Sequence, residues 1–244
     1  MDPLSLALTN QLAGAAPGAA GIEFGPGRFV IEITASGVIA FGGARREGAA
    51  WWETFQVTSG DMFDLSSPRD GTWSYLAVQG GIDSPVVLGS RSCQVREGIG
   101  RWIVVGDEFT AHGDLATPKA VTPPAMTGAV RLYGELPGLW IVGTRLDRMG
   151  YHLEGPSLLP GLSDEWSEPL LPGCIQITPS GVPIVLMAEG PTVGGYTVAG
   201  QVHSQDLRLV AQSRPGQTIE FVSTFGTSMN QLPEDLPNGL ESLN

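Results

Sequence analysis

The chain has 244 residues, 34 of them glycine and 19 proline, and its 13 basic and 25 acidic side chains leave a formal charge of -12. That balance argues against nucleic acid and anionic membranes as partners, because both are bound through Lys and Arg that neutralise phosphate. Glycine and proline are spread along the chain and punctuate many short segments. They predict an all-β architecture with a few short helices rather than βαβ units.

At the N-terminus Asp2-Pro3 precedes Leu4, Leu6, Leu8 and Leu12, with Gly14 beyond. An acidic N-cap, proline in the first turn, an apolar stripe and a glycine stop predict a short helix. Arg28–Thr34 and Gly37–Phe41 are rich in β-branched and aromatic residues across a Ser-Gly turn and predict a hairpin. Further strands are expected at Trp51–Val57, Met62–Leu65, Thr72–Val78, Trp102–Val105 and Glu108–Ala111. In the second half they are expected at Ala129–Tyr133, Leu139–Gly143, Gly150–Leu153, Cys174–Thr178, Pro183–Ala188 and Thr197–His203. Ser204–Leu207 opens a second short helix through Val210 and Ala211, which Pro215-Gly216 ends.

Residues 113–127 carry Pro118, Pro123 and Pro124 and read as a stiff linker. The expected organisation is therefore a β-rich half over 1–112, the linker, a second β-rich half over 128–226 and a mobile polar tail over 227–244. Cys93 and Cys174 lack the dense spacing of a disulfide scaffold and are expected as reduced thiols. No segment approaches the ~20 apolar residues of a spanning helix, and no export signal is recognisable, so a cytoplasmic location is expected.

Chemistry is concentrated in the second half. His112, His152 and His203 never take the i, i+4 spacing of a helical metal pair, and no metal is expected. No glycine pair leads into a phosphate-binding Lys-Ser/Thr, and no Gly-x-Ser-x-Gly elbow is present. The run Asp147–Pro156 and the run Pro191–Tyr196 combine charge, aromatic tips and permissive backbone. On a strand, Arg148, His152 and Glu154 share one face, as a candidate site or as a surface row with a cross-strand ion pair. Gln176, inside the apolar Cys174–Ile177, is either a satisfied core amide or a ligand contact, and Thr192 with the Gly194-Gly195 amides either meets an anion or forms a turn.

Six ordered segments carry a family resemblance: Asp2–Leu8, Tyr75–Asp83, Leu88–Ser92, Arg148–Pro156, Pro172–Ile177 and Pro191–Tyr196. Over Asp2 to about Val222 the chain resembles the biotin-dependent carboxyltransferase family that includes the C subunit of bacterial 5-oxoprolinase, also called allophanate hydrolase subunit 2. The resemblance implies a cyclophilin-like β-barrel architecture. It also implies a component of a bacterial ATP-dependent 5-oxoprolinase, which opens 5-oxoproline to glutamate beside a paralogous β-rich subunit of the B type and a lactam-utilisation subunit.

On that reading ATP acts at the level of the complex. Arg148 holds the substrate carboxylate, and Gln176, Thr192, Gly194 and Gly195 complete substrate binding. Glu154, Tyr151 and Tyr196 are the candidates for proton transfer. The alternatives are a biotin-dependent carboxyltransferase component of the urea carboxylase type, with biotin arriving on a separate carrier, and a non-catalytic regulatory partner. The family's Gly-Gly-Tyr-Pro-Lys stands here as Gly194-Gly195-Tyr196-Thr197-Val198, without the lysine.

Overall fold

The computed structural model describes residues 1–111, 116–134, 136, 139–156, 158 and 163–224. His112, the start of the expected linker and the expected tail over 227–244 lie outside the described residues. Helix α1 spans Pro3–Ala13: the Asp2 side chain accepts from the Ser5 amide at 3.0 Å, and Gly14 ends the helix at φ 75. This is the predicted helix, with the predicted cap and stop.

Strands β1 (Ile22–Phe24), β2 (Phe29–Glu32), β3 (Gly37–Gly43), β4 (Thr54–Val57), β5 (Met62–Leu65) and β6 (Ser74–Val78) build the first part of the chain. β1, β6, β3 and β4 form one sheet in that order, and β2 pairs with β5. The expected hairpin between Arg28–Thr34 and Gly37–Phe41 does not form. Phe29–Glu32 lies against Met62–Leu65, while Gly37–Gly43 runs between β4 and β6 and buries nearly every residue. Burial on both faces suits the central place in a sheet, and adjacency in sequence does not supply it. Neither Trp102–Val105 nor Glu108–Ala111 forms a strand; only Ala111 makes a bridge, to Ile82.

The second part holds β7 (Val130–Gly134), β8 (Leu139–Leu146), β9 (Gly150–Glu154), β10 (Ser163–Pro169), β11 (Cys174–Ile177), β12 (Pro183–Leu186), β13 (Val193–Val202), α2 (Leu207–Gln212) and β14 (Thr218–Ser223). The sheet order is β10-β13-β11-β12-β9-β8-β14-β7, and β13 also pairs with β7, so the sheet closes on itself as a barrel with β10 at its edge. Closure removes the exposed edges that an open sheet would present. The barrel expected from the resemblance is the architecture observed.

Trp140, Val142, Tyr151, Leu153, Ile175, Val185, Val202, Ile219 and Phe221 fill the barrel, with Val210 and Ala211 of α2. Trp73 and Tyr75 of β6 and its approach pack into this same core. Gln212, fully buried, locks the junction: its Oε1 accepts from the Thr72 and Trp73 amides at 3.1 and 3.0 Å, and its Nε2 donates to Asp2 Oδ2 at 3.0 Å. A buried amide satisfied on both ends fixes the two sheets in one register.

Candidate functional site

On β9 the alternation is the predicted one from Gly150 onward. Tyr151 and Leu153 point into the barrel, and His152 and Glu154 point outward. The β8–β9 ladder then gives the site its shape. Val142 lies opposite Leu153, but the next pair is Leu146 opposite Tyr151, so four steps on β8 match two on β9. The surplus bulges outward and carries Thr144 and Arg145 beside His152, which is how a bulge re-aims side chains next to a site.

An open cleft of about 510 Å³ lies over this bulge. Arg145, Thr144, His152, Glu154 and the Ser180-Gly181 turn line it. Two glycines keep it open. A Cβ at Gly143 would come within 3.1 Å of Glu154 Oε1, and one at Gly155 within 2.6 Å of the Trp140 ring. The far wall is a fixed turn: Gly181 donates to the Thr178 carbonyl, and Thr178 Oγ1 meets Ser180 Oγ at 2.9 Å.

Arg145 is the arginine whose guanidinium, among the described residues, makes neither a hydrogen bond nor an ion pair. The others are held by carboxylates, side chains or carbonyls. An unpaired planar fork at a cleft is a receptor for a carboxylate or phosphate. Burial, and then the charge of Arg145, pull the His152 pKa below its ordinary value against the pull of Asp147, so the ring is neutral at pH 7. A neutral imidazole, a carboxylate and a free guanidinium therefore meet in one cleft.

The sequence pointed to Arg148 for this role, and the structure puts Arg148 elsewhere. It precedes β9 and sits in an ion cluster: Nε donates to Glu189 Oε1 at 2.5 Å and Nη1 to Glu23 Oε1. Glu23 Oε2 also accepts from the chain's amino group at 2.6 Å and from the Tyr75 hydroxyl at 3.0 Å. Burial opposes the Arg148 charge, but the two carboxylates outweigh it and raise its pKa. Its fork is thus engaged by partners that tie β1 to the barrel.

Tyr151 is also away from the cleft. Its hydroxyl accepts from Trp73 Nε1 at 2.8 Å and donates to the Ala211 carbonyl at 2.7 Å, and burial raises its pKa. Gln176, Gly194 and Tyr196 come together on a second patch. A Cβ at Gly194 would lie 3.0 Å from Gln176 Nε2, which points to the Tyr196 carbonyl at 3.5 Å. Gly195 lies next to them within β13, and exposed Thr192 gives its carbonyl to the Leu170 amide at 2.8 Å. Register places Gln176 opposite Ile184 and Ile184 opposite His152, so the patch and the cleft share the barrel's outer face. Two strand spacings separate them, about 10 Å.

Arg145 was missed because its position depends on the bulge. The only signal was Gly143-Thr144 interrupting an apolar strand, where glycine marks an irregular ladder.

The profile of the carboxyltransferase domain, subdomain A and B, matches residues 1–135 and 131–223. The chain belongs to this carboxyltransferase domain family. Among its relatives, the C subunit of 5-oxoprolinase from Escherichia coli is 32% identical over 91% of this chain and 81% of that protein. The C subunit from Haemophilus influenzae is 30% identical over 91% and 80%. The urea amidolyase of Lachancea kluyveri is 26% identical, over all of this chain but 16% of its own length. Among solved structures, TTHA0988 superposes with a TM-score of 0.81 at 32% identity, covering 91% of this chain. This chain spans half of that one. The urea carboxylase of Kluyveromyces lactis, 24% identical with a TM-score of 0.81 over 91% of this chain, has the same fold. The names of the two bacterial 5-oxoprolinase relatives mark those two proteins as subunits of a multi-subunit assembly.

Proposed function

We propose that this chain is the C-type subunit of an ATP-dependent 5-oxoprolinase, working with a paralogous β-rich subunit and a lactam-utilisation subunit. The observation that carries this reading is mutual coverage. The E. coli 5-oxoprolinase relative matches nearly all of this chain and four-fifths of itself, whereas the urea amidolyase matches through a small fraction of its length.

The cleft suits such a substrate. 5-Oxoproline is a small lactam with one carboxylate, and its carboxylate would lie on the Arg145 fork. Opening the ring adds water to the lactam carbonyl, breaks the C–N bond and leaves an amine and a second carboxylate. His152, whose pKa is lowered, would take the proton from that water and pass it to the nitrogen that leaves as the C–N bond breaks, with Glu154 on the same face of the strand as the nearby negative charge. ATP, bound at the level of the assembly, supplies the driving force.

The runner-up is the carboxyltransferase role that the family name carries, with biotin delivered on a separate carrier. The match of the carboxyltransferase domain profile to residues 1–135 and 131–223 favours it.

Glutamate formation from 5-oxoproline and ATP, measured with this chain and the two companion proteins, tests the first reading. Loss of turnover in Arg145→Ala with the assembly intact supports it. An intact assembly that forms no glutamate sinks it, and carboxyl transfer from carboxybiotin to urea becomes the next assay.

A further inference from the structure

A second cleft, of about 340 Å³, opens beside α1 and shares no lining residue with the one at Arg145. Three segments frame it: the end of α1 at Leu12, the start of β4 at Trp52–Thr54, and the stretch 118–121. Hydrogen bonds hold the three together. The Ala116 amide donates to the Gly14 carbonyl and the Lys119 amide to the Gln11 carbonyl, each at 3.0 Å, while Thr54 Oγ1 donates to the Leu12 carbonyl at 2.8 Å. The walls are therefore fixed by the fold, as in a site formed before its ligand arrives.

An aromatic side chain is held in the wall against the preference of its backbone. Trp52 has φ 64, in the left-handed region where a bulky residue is an outlier. Its amide donates to the Phe41 carbonyl at 2.8 Å, and Gly42 leaves room for its ring, since a Cβ there would come within 3.1 Å of it. The half-buried indole packs with Val121 against the cluster of Leu12, Ala13, Ala40 and Ala77. Strain of this kind persists where the surroundings over-determine it, and it concentrates at ligand sites.

Two opposite charges line this cleft without meeting. Glu53 and Lys119, the chain's only lysine, are both exposed, and neither side chain forms an ion pair or a hydrogen bond among the described residues. They therefore stand more than 4.0 Å apart. Unlike charges that share a cleft and do not neutralise one another suit a ligand that carries both. The indole in the same wall adds attraction for the cationic end.

We propose that this cleft binds the zwitterion of an apolar α-amino acid, with the ammonium on Glu53 and the Trp52 ring, the carboxylate on Lys119, and the side chain on Leu12, Pro118 and Val121. Glu53 repels a ligand that is only an anion, and Lys119 one that is only a cation. The pair thus selects against molecules with a single charge. The site stands apart from the reaction assigned to the Arg145 cleft and takes a ligand whether or not that reaction is the right one.

The test titrates the full chain by calorimetry with L-leucine and with two analogues that each lack one charge, 4-methylpentanoate and 3-methylbutylamine. Leucine is also titrated into Lys119→Met and Glu53→Gln; both side chains are exposed, and an unchanged melting temperature serves as the folding control. The expected result is saturable leucine binding with a Kd below about 1 mM, weakened at least about tenfold in each variant and for each analogue. A wild-type chain that binds leucine more weakly than about 1 mM, or not at all, overturns the proposal. Weakening of less than about tenfold in either variant moves the ligand off this cleft and overturns it too. An analogue that binds within about tenfold of leucine overturns the requirement for both charges, and with it the zwitterion.

Discussion

Arg148 and Arg145, three residues apart, should separate stability from function. Arg148 has a side chain about one-fifth exposed, and its two carboxylate partners are at least as buried, Glu189 the more so at 8%. Removing one partner of a buried pair costs about 3–5 kcal/mol, because a carboxylate is left without compensation. Here the loss is smaller: Glu23 keeps the chain's amino group and the Tyr75 hydroxyl, and only Glu189 is stranded. We expect Arg148→Ala to cost about 2–4 kcal/mol, which for a chain of this length lowers Tm by roughly 4–16 °C. Arg145→Ala touches an exposed, unpaired group and should stay within about 0.5 kcal/mol. Urea and thermal unfolding measure both. A cycle with Glu189→Gln adds a check, since the two changes should be non-additive by about 1–3 kcal/mol if the pair is coupled. An Arg148→Ala protein as stable as wild type, or an Arg145→Ala protein destabilised by more than about 1 kcal/mol, would refute the assignment of roles.

Gln212→Ala strands the Thr72 and Trp73 amides in the core and should cost about 3 kcal/mol or more; Gln212→Glu, which keeps the acceptor but faces Asp2 with a second carboxylate, should also be destabilised, and chemical denaturation compares the two. Gly155→Ala presses a methyl onto the Trp140 ring and should cost about 1–3 kcal/mol, read as a lower urea midpoint. The His203 pKa is depressed, first by burial and then by Arg131, against Asp206. The unfolded chain therefore binds the proton more readily, so stability should fall as pH drops through about 6.5 towards the folded value, and His203→Asn should flatten that part of the profile. A small carboxylate bound at Arg145 should shield the cation that lowers the His152 pKa, so NMR titration should find that pKa higher in the complex, and unchanged in Arg145→Ala.

What the sequence could reveal followed the range of the interactions. The cap at Asp2, the stop at Gly14 and the strand periods of the barrel are local, and they were legible. The hairpin expected at Ser36-Gly37 failed because sheet partners are chosen by burial: β3, apolar on both faces, was drawn between β4 and β6. The three-residue β1 and the largely polar β10, Ser163–Pro169, left little apolar periodicity to read, and each is an edge defined by its neighbour.

The candidate site was half legible for the same reason. His152 and Glu154 emerged from the alternation of one strand, whereas the choice between Arg148 and Arg145 depended on a ladder with two surplus residues and on Glu23, far upstream. A charged side chain in a motif is compatible with recognition and with structural pairing, and composition cannot choose between them. Three-dimensional pairing does choose, because a guanidinium already clasped by two carboxylates must lose them before it meets a third, while an unpaired one at a cleft meets its ligand at the cost of water alone. The same logic separates Tyr151 from Tyr196: the first has committed its hydroxyl to Trp73 and Ala211, and the second stands half open at the barrel's outer face. If chemistry on this chain needs a phenol, Tyr196 is the one that can reach a ligand, and Tyr196→Phe should then lower kcat while Tyr151→Phe lowers Tm.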